Sequence, residues 1–384
     1  MNKHALILGG DGYLGWPTAM HFASNGWRVT VVDNYFRRHA CDELDTGMLY
    51  ALPTLHERVS AFKDISSHSI EVIIGDLAEP SFMAELFRSI GSPEVIVHYA
   101  EQPSAPYSLL NLDYADKTIT NNLRVTNNLL WCVKDFCPDA QIIKLGTMGE
   151  YGTPNIDIEE GWIDITHKGR SDRFLFPRQA GSIYHTTKVM DTDLIWWAVR
   201  IWGLKITDLM QGPVYGIHTP ESLLDPRLMT IFNYDEIFGT VINRFVTQAV
   251  AGYPLTVYGR GGQTRGYLNI NDTLQFVMVA ADKPAKPGEL RIFNQITETF
   301  TVNELAEHIF RVGRARGHDV RIDKIENPRK EAEEHYYNPS YQGLKELGAK
   351  PNLLTDDILQ DLFATVEEYA QNIRREVIFR GVKW

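Results

Sequence analysis

The first half of the sequence alternates short apolar runs with helical patterns. This is the order expected of a parallel sheet with crossover helices. The predicted strands are His4–Gly9, Arg28–Asp33, Glu71–Gly75, Val95–Tyr99, Gln141–Leu145 and Lys205–Leu209. The predicted helices are Tyr13–Asn25, Ser81–Ser89, Asp116–Phe136, Ser182–Trp202 and Asp356–Arg374. Right-handed crossovers would wind these elements into an α/β fold with a doubly wound parallel sheet.

The second half of the chain has a less regular pattern. We expect residues 1–210, with returning segments near 240–282, to form one domain. Residues 211–384 are expected to form mainly a smaller, discontinuous C-terminal substrate-binding lobe. Two connections in the first half, Asn34–Ser69 and Thr153–Ala180, are long enough to predict that they wall a pocket.

The composition argues against several classes of partner. The 384 residues carry a formal net charge of −11, which would repel nucleic acid. No uncharged apolar stretch reaches the roughly 20 residues that cross a bilayer, and no targeting segment is visible. Three cysteines are too few and too irregularly spaced for a disulfide framework or a zinc site. We expect a cytoplasmic protein without a metal that binds neither nucleic acid nor membrane.

A glycine-rich turn joins the first predicted strand to the first predicted helix. Its sequence is Gly9-Gly10-Asp11-Gly12-Tyr13-Leu14-Gly15. Gly9 permits a tight turn, Gly12 lets the backbone approach a pyrophosphate, and Gly15 allows close helix–strand packing. Asp33 ends the next strand, where a carboxylate accepts hydrogen bonds from an adenosine ribose and repels a 2′-phosphate. The pattern predicts a Rossmann-type domain that binds NAD rather than NADP, and Arg37-Arg38 is the one nearby sequence that would suit a phosphate.

A tyrosine and a lysine four residues apart follow a predicted strand that leads into a threonine. They are Tyr184 and Lys188, and the threonine is Thr147. On a helix this spacing puts both side chains on one face, where an ammonium lowers the pKa of the phenol. The phenolate would take the proton of a substrate hydroxyl as hydride leaves the same carbon for the nicotinamide. Thr147 would donate a hydrogen bond to that oxygen.

Single arginines flanked by Gly, Pro and aromatic residues recur in the second half. They lie in Asn243-Arg244, in Gly261–Tyr267 around Arg265, and in Asn327-Pro328-Arg329. Arginine can clamp a diphosphate bidentately, and a Gly-rich backbone can approach a uridine ring. The segments predict a localised diphosphate site in an acidic chain. The nearby run His335-Tyr336-Tyr337 fits a polar pocket wall better than a metal cluster.

Together these residues resemble the UDP-sulfoquinovose synthases, a family of extended short-chain dehydrogenases/reductases among the NAD-dependent epimerases and dehydratases. The resemblance runs over nearly the whole length, and its most specific run is Lys144–Gly161. The other stretches are Gly9–Gly15, Asp33-Asn34, Ser104–Ser108, Tyr184–Lys188, Thr207–Leu209, Pro254–Tyr267 and Asn327–Asn338.

The resemblance implies a reaction that joins UDP-glucose, or a related UDP-sugar, with sulfite. The sugar is oxidised at C4 by NAD and loses its C6 hydroxyl as water to give a 4-keto-5,6-ene. Sulfite then adds at C6, and the return of hydride regenerates NAD. The product is UDP-sulfoquinovose, the head-group donor of a sulfolipid.

The resemblance also assigns site residues. Thr147, Tyr184 and Lys188 take the catalytic positions, and Glu150 and His185 are the nearest ionisable groups for proton transfer at C5 and C6. With the glycine turn and the loop after the third strand, the cofactor contacts are Gly9, Gly12, Tyr13, Leu14, Gly15, Asp33, Asn34, Arg37, Asp76, Leu77, Asn121, Tyr184, Lys188 and Gln211. The substrate contacts are Gln102, Thr147, Gln211, Thr240, Arg244, Gln263, Arg265 and Arg329.

One position departs from the family pattern. The family has an arginine, a plausible handle for sulfite, where this chain has Pro103. Sulfite is a well-hydrated anion, so a closed site must replace its water with a cation or several donors. Arg173 and Arg178 lie in the long connection after Thr153, and we hypothesise that one of them supplies the relocated cation.

Two other functions stay open. One is a UDP-sugar dehydratase or 4-epimerase on the same scaffold that adds no sulfite. A dedicated 4,6-dehydratase usually carries Asp-Glu directly after the catalytic threonine, where this chain has Met148-Gly149. The other is a non-catalytic dinucleotide sensor, which would typically lack the tyrosine or the lysine that are both present here.

A homodimer is expected from the same resemblance. Enzymes of this type pack two long helices against the same helices of a second subunit. Here those helices carry apolar residues that fit either an ordinary core or such an interface: Leu129, Leu130, Trp131, Val133, Trp196 and Trp197.

Overall fold

The computed structural model describes residues 3–327 and 336–379. The strands are β1 (His4–Leu8), β2 (Arg28–Asp33), β3 (Ile70–Ile74), β4 (Val95–His98), β5 (Gln141–Thr147), β6 (Trp162–His167), β7 (Arg170–Leu175), β8 (Lys205–Gln211), β9 (Val214–Tyr215), β10 (Leu255–Tyr258), β11 (Thr264–Asn269), β12 (Leu290–Gln295), β13 (Glu298–Thr301) and β14 (Ile322–Ile325). The helices are α1 (Gly15–Ser24), α2 (Phe36–Glu43), α3 (Leu55–Ser66), α4 (Pro80–Ile90), α5 (Leu112–Phe136), α6 (Ile183–Trp202), α7 (Val241–Val250), α8 (Ile270–Asp282), α9 (Val302–Ala315), α10 (Gly343–Glu346), α11 (Asp356–Glu368) and α12 (Arg375–Ile378).

Seven strands of the described chain form a central parallel sheet in the order β12-β8-β5-β4-β1-β2-β3. Two apolar cores cover its faces. The predicted Rossmann-type, doubly wound sheet is therefore confirmed. The winding reverses between β1 and β4, and in sheets of this kind a ligand binds outside the carboxyl ends of the strands at such a point.

Two long helices, α5 and α6, pack against each other on one face of the sheet. Helix α5 begins at Leu112, four residues before the predicted start, because the Asn111 side chain accepts the N–H groups of Asp113 (2.9 Å) and Tyr114 (3.2 Å). In the described parts of the chain, no helix combines the length and the apolar character that a membrane crossing requires.

A third apolar core lies in a C-terminal lobe. It is formed largely by α7, α9 and α11, with the parallel pair β10 and β14 beside them. The chain nevertheless returns to the sheet after the lobe begins, since α8 contacts α1 and β12 adds the edge strand next to β8. The sequence pattern did not predict β12. The domain boundary near residue 210 stays a prediction.

Two predicted connections contain regular secondary structure, and one predicted helix is shorter than expected. The connection Asn34–Ser69 contains α2 and α3, and Thr153–Ala180 contains the antiparallel hairpin of β6 and β7. The predicted helix Asp356–Arg374 ends at Glu368. Beyond it, Asn372 donates to the Leu49 carbonyl (3.1 Å) and Arg374 pairs with Asp45 (2.6 Å), so tertiary contacts redirect the chain.

Candidate active site

One cavity of about 1550 Å³ lies at the carboxyl ends of the central strands. Its wall includes the glycine turn after β1, the ends of β2 and β5, and the start of α6. Residues of α7 and β11 close it from the lobe side. The space is large enough to hold two extended ligands in contact, because single drug-sized ligands occupy roughly 300–1,000 Å³.

The glycine turn is held by the sheet and leaves its backbone facing the cavity. Gly9 has φ +87° and donates its N–H to the carbonyl of Val32 (2.8 Å). A Cβ on Gly15 would lie 1.9 Å from the Gly9 carbonyl oxygen, so any side chain there would collide with backbone. A Cβ on Gly12 would meet only that oxygen, at 3.4 Å. The cavity thus reaches the backbone of Gly12 directly, which fits the approach of a phosphate.

Asp33 lies at the end of β2 and lines the cavity. Its carboxylate accepts the N–H of Asp11 (2.8 Å) and that of Tyr35 (2.6 Å). Burial, more than any neighbouring charge, raises the pKa of Asp33 to about 6. These contacts fix the carboxylate at the end of β2, and its predicted hydrogen bonds to the ribose hydroxyls of NAD stay a prediction.

The two arginines that would suit a 2′-phosphate are both engaged. Arg38 donates to the Asp11 carboxylate (2.7 and 2.8 Å) and to two backbone carbonyls. Arg37 lines the cavity, donates to Asn233 (3.1 Å) and lies over the Phe238 ring at 4.3 Å. Their contacts therefore agree with a site for NAD.

The predicted cofactor residues come together around this end of the cavity. Lys188 lies just behind the wall, and the others are part of it: Gly9, Gly12, Tyr13, Leu14, Gly15, Asp33, Asn34, Arg37, Asp76, Leu77, Asn121, Tyr184 and Gln211. Their individual contacts to the cofactor stay predictions.

Tyr184 and Thr147 face the cavity from neighbouring elements. Ser182 caps α6 by accepting the N–H of His185 (3.1 Å), which fixes the first turn of the helix that carries Tyr184. Thr147 ends β5, and its hydroxyl accepts the N–H of Gly149 (3.2 Å). The two hydroxyl groups thus border the same space.

Lys188 is ion-paired in this structure. Its ammonium lies 2.5 Å from the Glu101 carboxylate and donates to the Leu145 carbonyl (2.6 Å). Burial first, and the Glu101 carboxylate second, raise the pKa of Tyr184. In the protein alone the net shift of the Tyr184 pKa is upward, and Glu101 opposes the ammonium of Lys188, whose expected lowering of this pKa stays a prediction.

Sequence reasoning missed Glu101. Its buried carboxylate borders the cavity and lies 3.3 Å from Nε2 of His98. Burial lowers the pKa of His98 to about 4, so that ring is neutral near neutral pH. A carboxylate three residues beyond β4, at the edge where ligands bind, was the available signal.

The two residues expected to move protons at C5 and C6 have different positions. Glu150 lies outside the cavity wall and fully buried, with Arg178 3.2 Å and Lys144 3.7 Å from its carboxylate. Its position does not support direct contact with substrate. His185 lines the cavity, with Nδ1 3.0 Å from Ser182 Oγ.

The lobe end of the cavity presents buried polar atoms. Arg244 donates to the Tyr258 hydroxyl (3.3 Å). In the described chain, Arg244 Nε, Thr240 Oγ1 and Gln263 Oε1 are buried without a hydrogen-bond partner. Such atoms are normally paired, so this end fits a polar ligand such as a nucleoside diphosphate. Two further predicted substrate residues also lie in the wall: Arg265 and Gln211.

Besides Glu150 and Lys188, three residues named from the sequence as substrate or sulfite contacts lie outside the cavity wall. Gln102 is fully buried, and its amide donates to Thr118 Oγ1 and the Ser104 carbonyl (both 2.9 Å), so it holds a loop rather than substrate. Arg173 is exposed on the β6–β7 hairpin, 5.7 Å from the centre of the Trp162 ring. Arg178 is committed to Glu150. Because neither arginine lines the cavity in this structure, the hypothesis of a relocated sulfite cation at Arg173 or Arg178 gains no support from the geometry and stays a prediction. Arg329 and His335 lie outside the described residues.

The part of the chain that the structure describes offers no candidate metal site. The described residues contain no group of three or more His, Cys, Asp or Glu side chains that could hold a metal ion.

Comparisons with known proteins agree with this site. Residues 5–294 match the family model "NAD dependent epimerase/dehydratase family". The chloroplastic UDP-sulfoquinovose synthase of Spinacia oleracea is 44% identical over 382 residues, covering 100% of this chain and 79% of that protein. The UDP-sulfoquinovose synthase of Sulfolobus acidocaldarius is 40% identical, covering 99% and 97%. A crystal structure of UDP-glucose 4-epimerase from Bifidobacterium longum, in complex with NAD+ and UDP, has a TM-score of 0.70 at 19% identity and covers 98% of this chain and 100% of that one.

The chain therefore belongs to the NAD dependent epimerase/dehydratase family and, within it, to the UDP-sulfoquinovose synthases. It is an NAD-dependent enzyme.

Proposed function

We propose that the protein converts UDP-glucose and sulfite into UDP-sulfoquinovose and regenerates NAD within each turnover. The observation that carries the proposal is the continuity of one cavity from the glycine turn, past Tyr184 and Thr147, to Arg244 and Gln263. A dinucleotide at one end and a sugar nucleotide at the other would meet at the tyrosine. Two relatives of this chain, from Spinacia oleracea and Sulfolobus acidocaldarius, are UDP-sulfoquinovose synthases, which supports the same reaction.

The first step is oxidation at C4 of the sugar. Gly9, Gly12 and Asp33 would hold NAD, which would supply a hydride acceptor for C4 and the hydride that returns at the end of the turnover. Tyr184, as phenolate, takes the proton of the C4 hydroxyl, and Thr147 donates a hydrogen bond to the same oxygen. Arg244 and Gln263 hold the nucleotide diphosphate, which keeps the sugar between them and Tyr184.

The next steps change C5 and C6, and we assign their proton transfers to His185. A 4-keto sugar has an acidic hydrogen at C5, and removing it while the C6 hydroxyl leaves as water gives the 4-keto-5,6-ene. His185 passes the C5 proton to the departing C6 oxygen and takes up a new proton from solvent. Sulfite then forms a bond to C6, and this second proton goes to C5. The His185 ring centre lies 5.1 Å from that of Tyr184, so both groups reach neighbouring carbons of one sugar. In its protonated form His185 also supplies a cation for sulfite in the absence of an arginine at Pro103.

Replacement of His185 by Asn tests that assignment. The variant should still form NADH when UDP-glucose is added, because C4 oxidation does not need the imidazole. It should no longer eliminate water or incorporate sulfite, and both losses are measured from the mass of the product. Normal sulfite incorporation in His185→Asn would contradict the assignment.

The position of Gly149 argues against a dedicated 4,6-dehydratase. A Cβ on Gly149 would lie 2.3 Å from Nε2 of His185. The glutamate that such a dehydratase carries at this place would displace the imidazole. The geometry therefore favours a site that uses His185 over one that uses an acidic pair.

We also propose a homodimer through α5 and α6. Leu129, Leu130 and Val133 belong to the core, but Trp131 and Trp197 are 46% and 40% exposed. Trp202 packs edge-on between their rings, at 4.8 and 4.6 Å. Trp131→Glu should shift the mass measured by light scattering from dimer to monomer, and a monomeric wild type would rule the dimer out.

The cytoplasm is our proposed compartment. The relative from Spinacia oleracea is named chloroplastic, so the compartment has to be determined by fractionation of the source cells.

The function is tested by incubating the holoenzyme with UDP-glucose, with and without sulfite, and measuring product mass. The proposal expects a sulfonate-bearing UDP-sugar only when sulfite is present. A dehydrated or epimerised product at every sulfite concentration would replace it with the dehydratase or epimerase function.

A further inference from the structure

An ion pair that the sequence did not predict lies beside Tyr184. Oε2 of Glu101 is 2.5 Å from Nζ of Lys188, and Oε1 is 3.3 Å from Nε2 of His98. The side chains of Glu101 and Lys188 are only 3% and 4% exposed, so water and salt screen the pair weakly. Since Glu101 also borders the cavity, its charge acts on whatever binds there.

A second charged cluster lies further inside. Lys144 Nζ is 3.7 Å from both Glu150 and Asp208, and Arg178 pairs with Glu150 at 3.2 Å. Burial raises the pKa of Asp191, a carboxyl near Lys188, well above its ordinary value. The charged and titratable groups that face Tyr184 and Glu101 are thus His98, Lys144, Glu150, Lys188 and Asp191, with Arg37 and His185 on the cavity side.

We propose that Glu101 is a positioning residue: by holding the ammonium of Lys188, its carboxylate offsets that charge beside Tyr184, so that the phenolate forms only when oxidised nicotinamide adds a positive charge. The inference rests on the proposed role of Tyr184 as the base in sugar oxidation.

The physical reason is the balance of charge around a buried phenol. Burial and Glu101 both favour the protonated form of Tyr184. A cation within about 4–6 Å lowers the pKa of an acid by roughly 1–3 units, but Glu101 removes most of this effect of Lys188. Nicotinamide is positively charged only in NAD+. Tyr184 therefore loses its proton to solvent when the cofactor can accept hydride, and with NADH it stays a phenol, the form that returns a proton to the C4 oxygen.

The test is a titration of Tyr184 in the holoenzyme, followed by NMR of tyrosine labelled with ¹³C at Cζ. The Tyr184 signal is identified by its loss in Tyr184→Phe. In the wild type the pKa should be at least about one unit lower with NAD+ than with NADH. In Glu101→Gln it should fall by about one unit or more in the NADH form as well, because Lys188 is then unopposed.

Asp191→Asn is the matched control. It replaces a buried carboxyl near the same lysine whose effect on the pKa of Tyr184 is smaller than that of Glu101, so the pKa of Tyr184 should shift much less than in Glu101→Gln. Glu101→Asp, which keeps the charge, should restore most of the wild-type behaviour. An unchanged pKa in Glu101→Gln, or equal shifts in the Gln and Asn variants, would overturn the proposal.

Two further measurements test the proposal if Glu101→Gln does not fold or if the enzyme does not turn over UDP-glucose. If Glu101→Gln does not fold, equal Tyr184 pKa values in wild-type NAD+ and NADH forms would still overturn it, and a lower value with NAD+ would support it. Turnover of UDP-glucose is measured separately. The expected titration without any UDP-glucose turnover would refute the proposed function and leave the role of Glu101 standing.

Discussion

The cofactor end and the substrate end of the cavity are built in different ways. The cofactor end comes from consecutive strand-to-helix turns, in which Gly9, Gly15 and Asp33 lie within 25 residues of sequence and are fixed by backbone contacts. The substrate end is assembled on the lobe, where Thr240, Arg244 and Gln263 carry polar atoms that have no partner among the residues that the structure describes. One end is thus rigid before a ligand arrives, and the other is completed by its ligand.

The chemistry between the two ends depends on Tyr184, and its loss should have the largest effect. Tyr184→Phe keeps the ring but removes the base, so C4 oxidation should fall by on the order of 10² to 10⁴. The amount of bound NAD and the affinity for UDP-glucose should hardly change, because neither end of the cavity is altered. The measurements are single-turnover NADH absorbance, NAD content and calorimetry with UDP-glucose. Near-normal turnover would place the base elsewhere.

Removing Arg244 should affect the substrate end alone. A lost charge-assisted hydrogen bond of roughly 1.5–3 kcal/mol predicts a rise in the KM for UDP-glucose of about 10- to 150-fold in Arg244→Ala. NAD retained through purification should equal that of the wild type. Loss of NAD together with substrate affinity would show that the two ends are not separate.

The smallest expected effect is a pH dependence at the cofactor end. Burial raises the pKa of Asp33 to about 6, so the neutral acid stabilises the folded protein below its ordinary pKa, and this contribution is lost as pH rises through about 6. Ribose hydroxyls bond the ionised form, so NAD affinity of the apoprotein should rise by about tenfold between about pH 5 and about pH 7. Asp33→Asn should flatten the profile, as measured by fluorescence titration. A flat wild-type profile would contradict the argument.

The difference between the cofactor end and the substrate end of the cavity also explains which features could be predicted from the sequence. Local rules were sufficient for six of the seven strands of the central sheet, the glycine turn, the place of Asp33 at the end of β2 and the helix that carries Tyr184 and Lys188. These rules failed where contacts between residues distant in the sequence determine the position of a side chain. Nothing local shows that Glu101 after β4 reaches Lys188 on α6, or that Glu150, three residues after Thr147, points inward to Lys144 and Arg178.

Arg173 and Pro103 illustrate the same limit at the sulfite step. A charge in a long connection is a reasonable candidate for a pocket wall, but the β6–β7 hairpin turns Arg173 outward. Pro103 does line the cavity, so the departure from the family pattern lies in the wall itself. His185 was recognised from the sequence because it adjoins Tyr184.

The most direct test of the account is exchange of solvent deuterium into C5 of UDP-glucose, because it requires both ends of the cavity to act together. The holoenzyme is incubated in deuterated buffer without sulfite, and the recovered UDP-glucose is examined by NMR. We predict deuterium at C5 with the wild type and none with Tyr184→Phe, since only the 4-keto sugar has an acidic C5 hydrogen. Absence of exchange in a wild-type enzyme that holds NAD and binds UDP-glucose would contradict the claim that the sugar is oxidised at C4 with Tyr184 as the base.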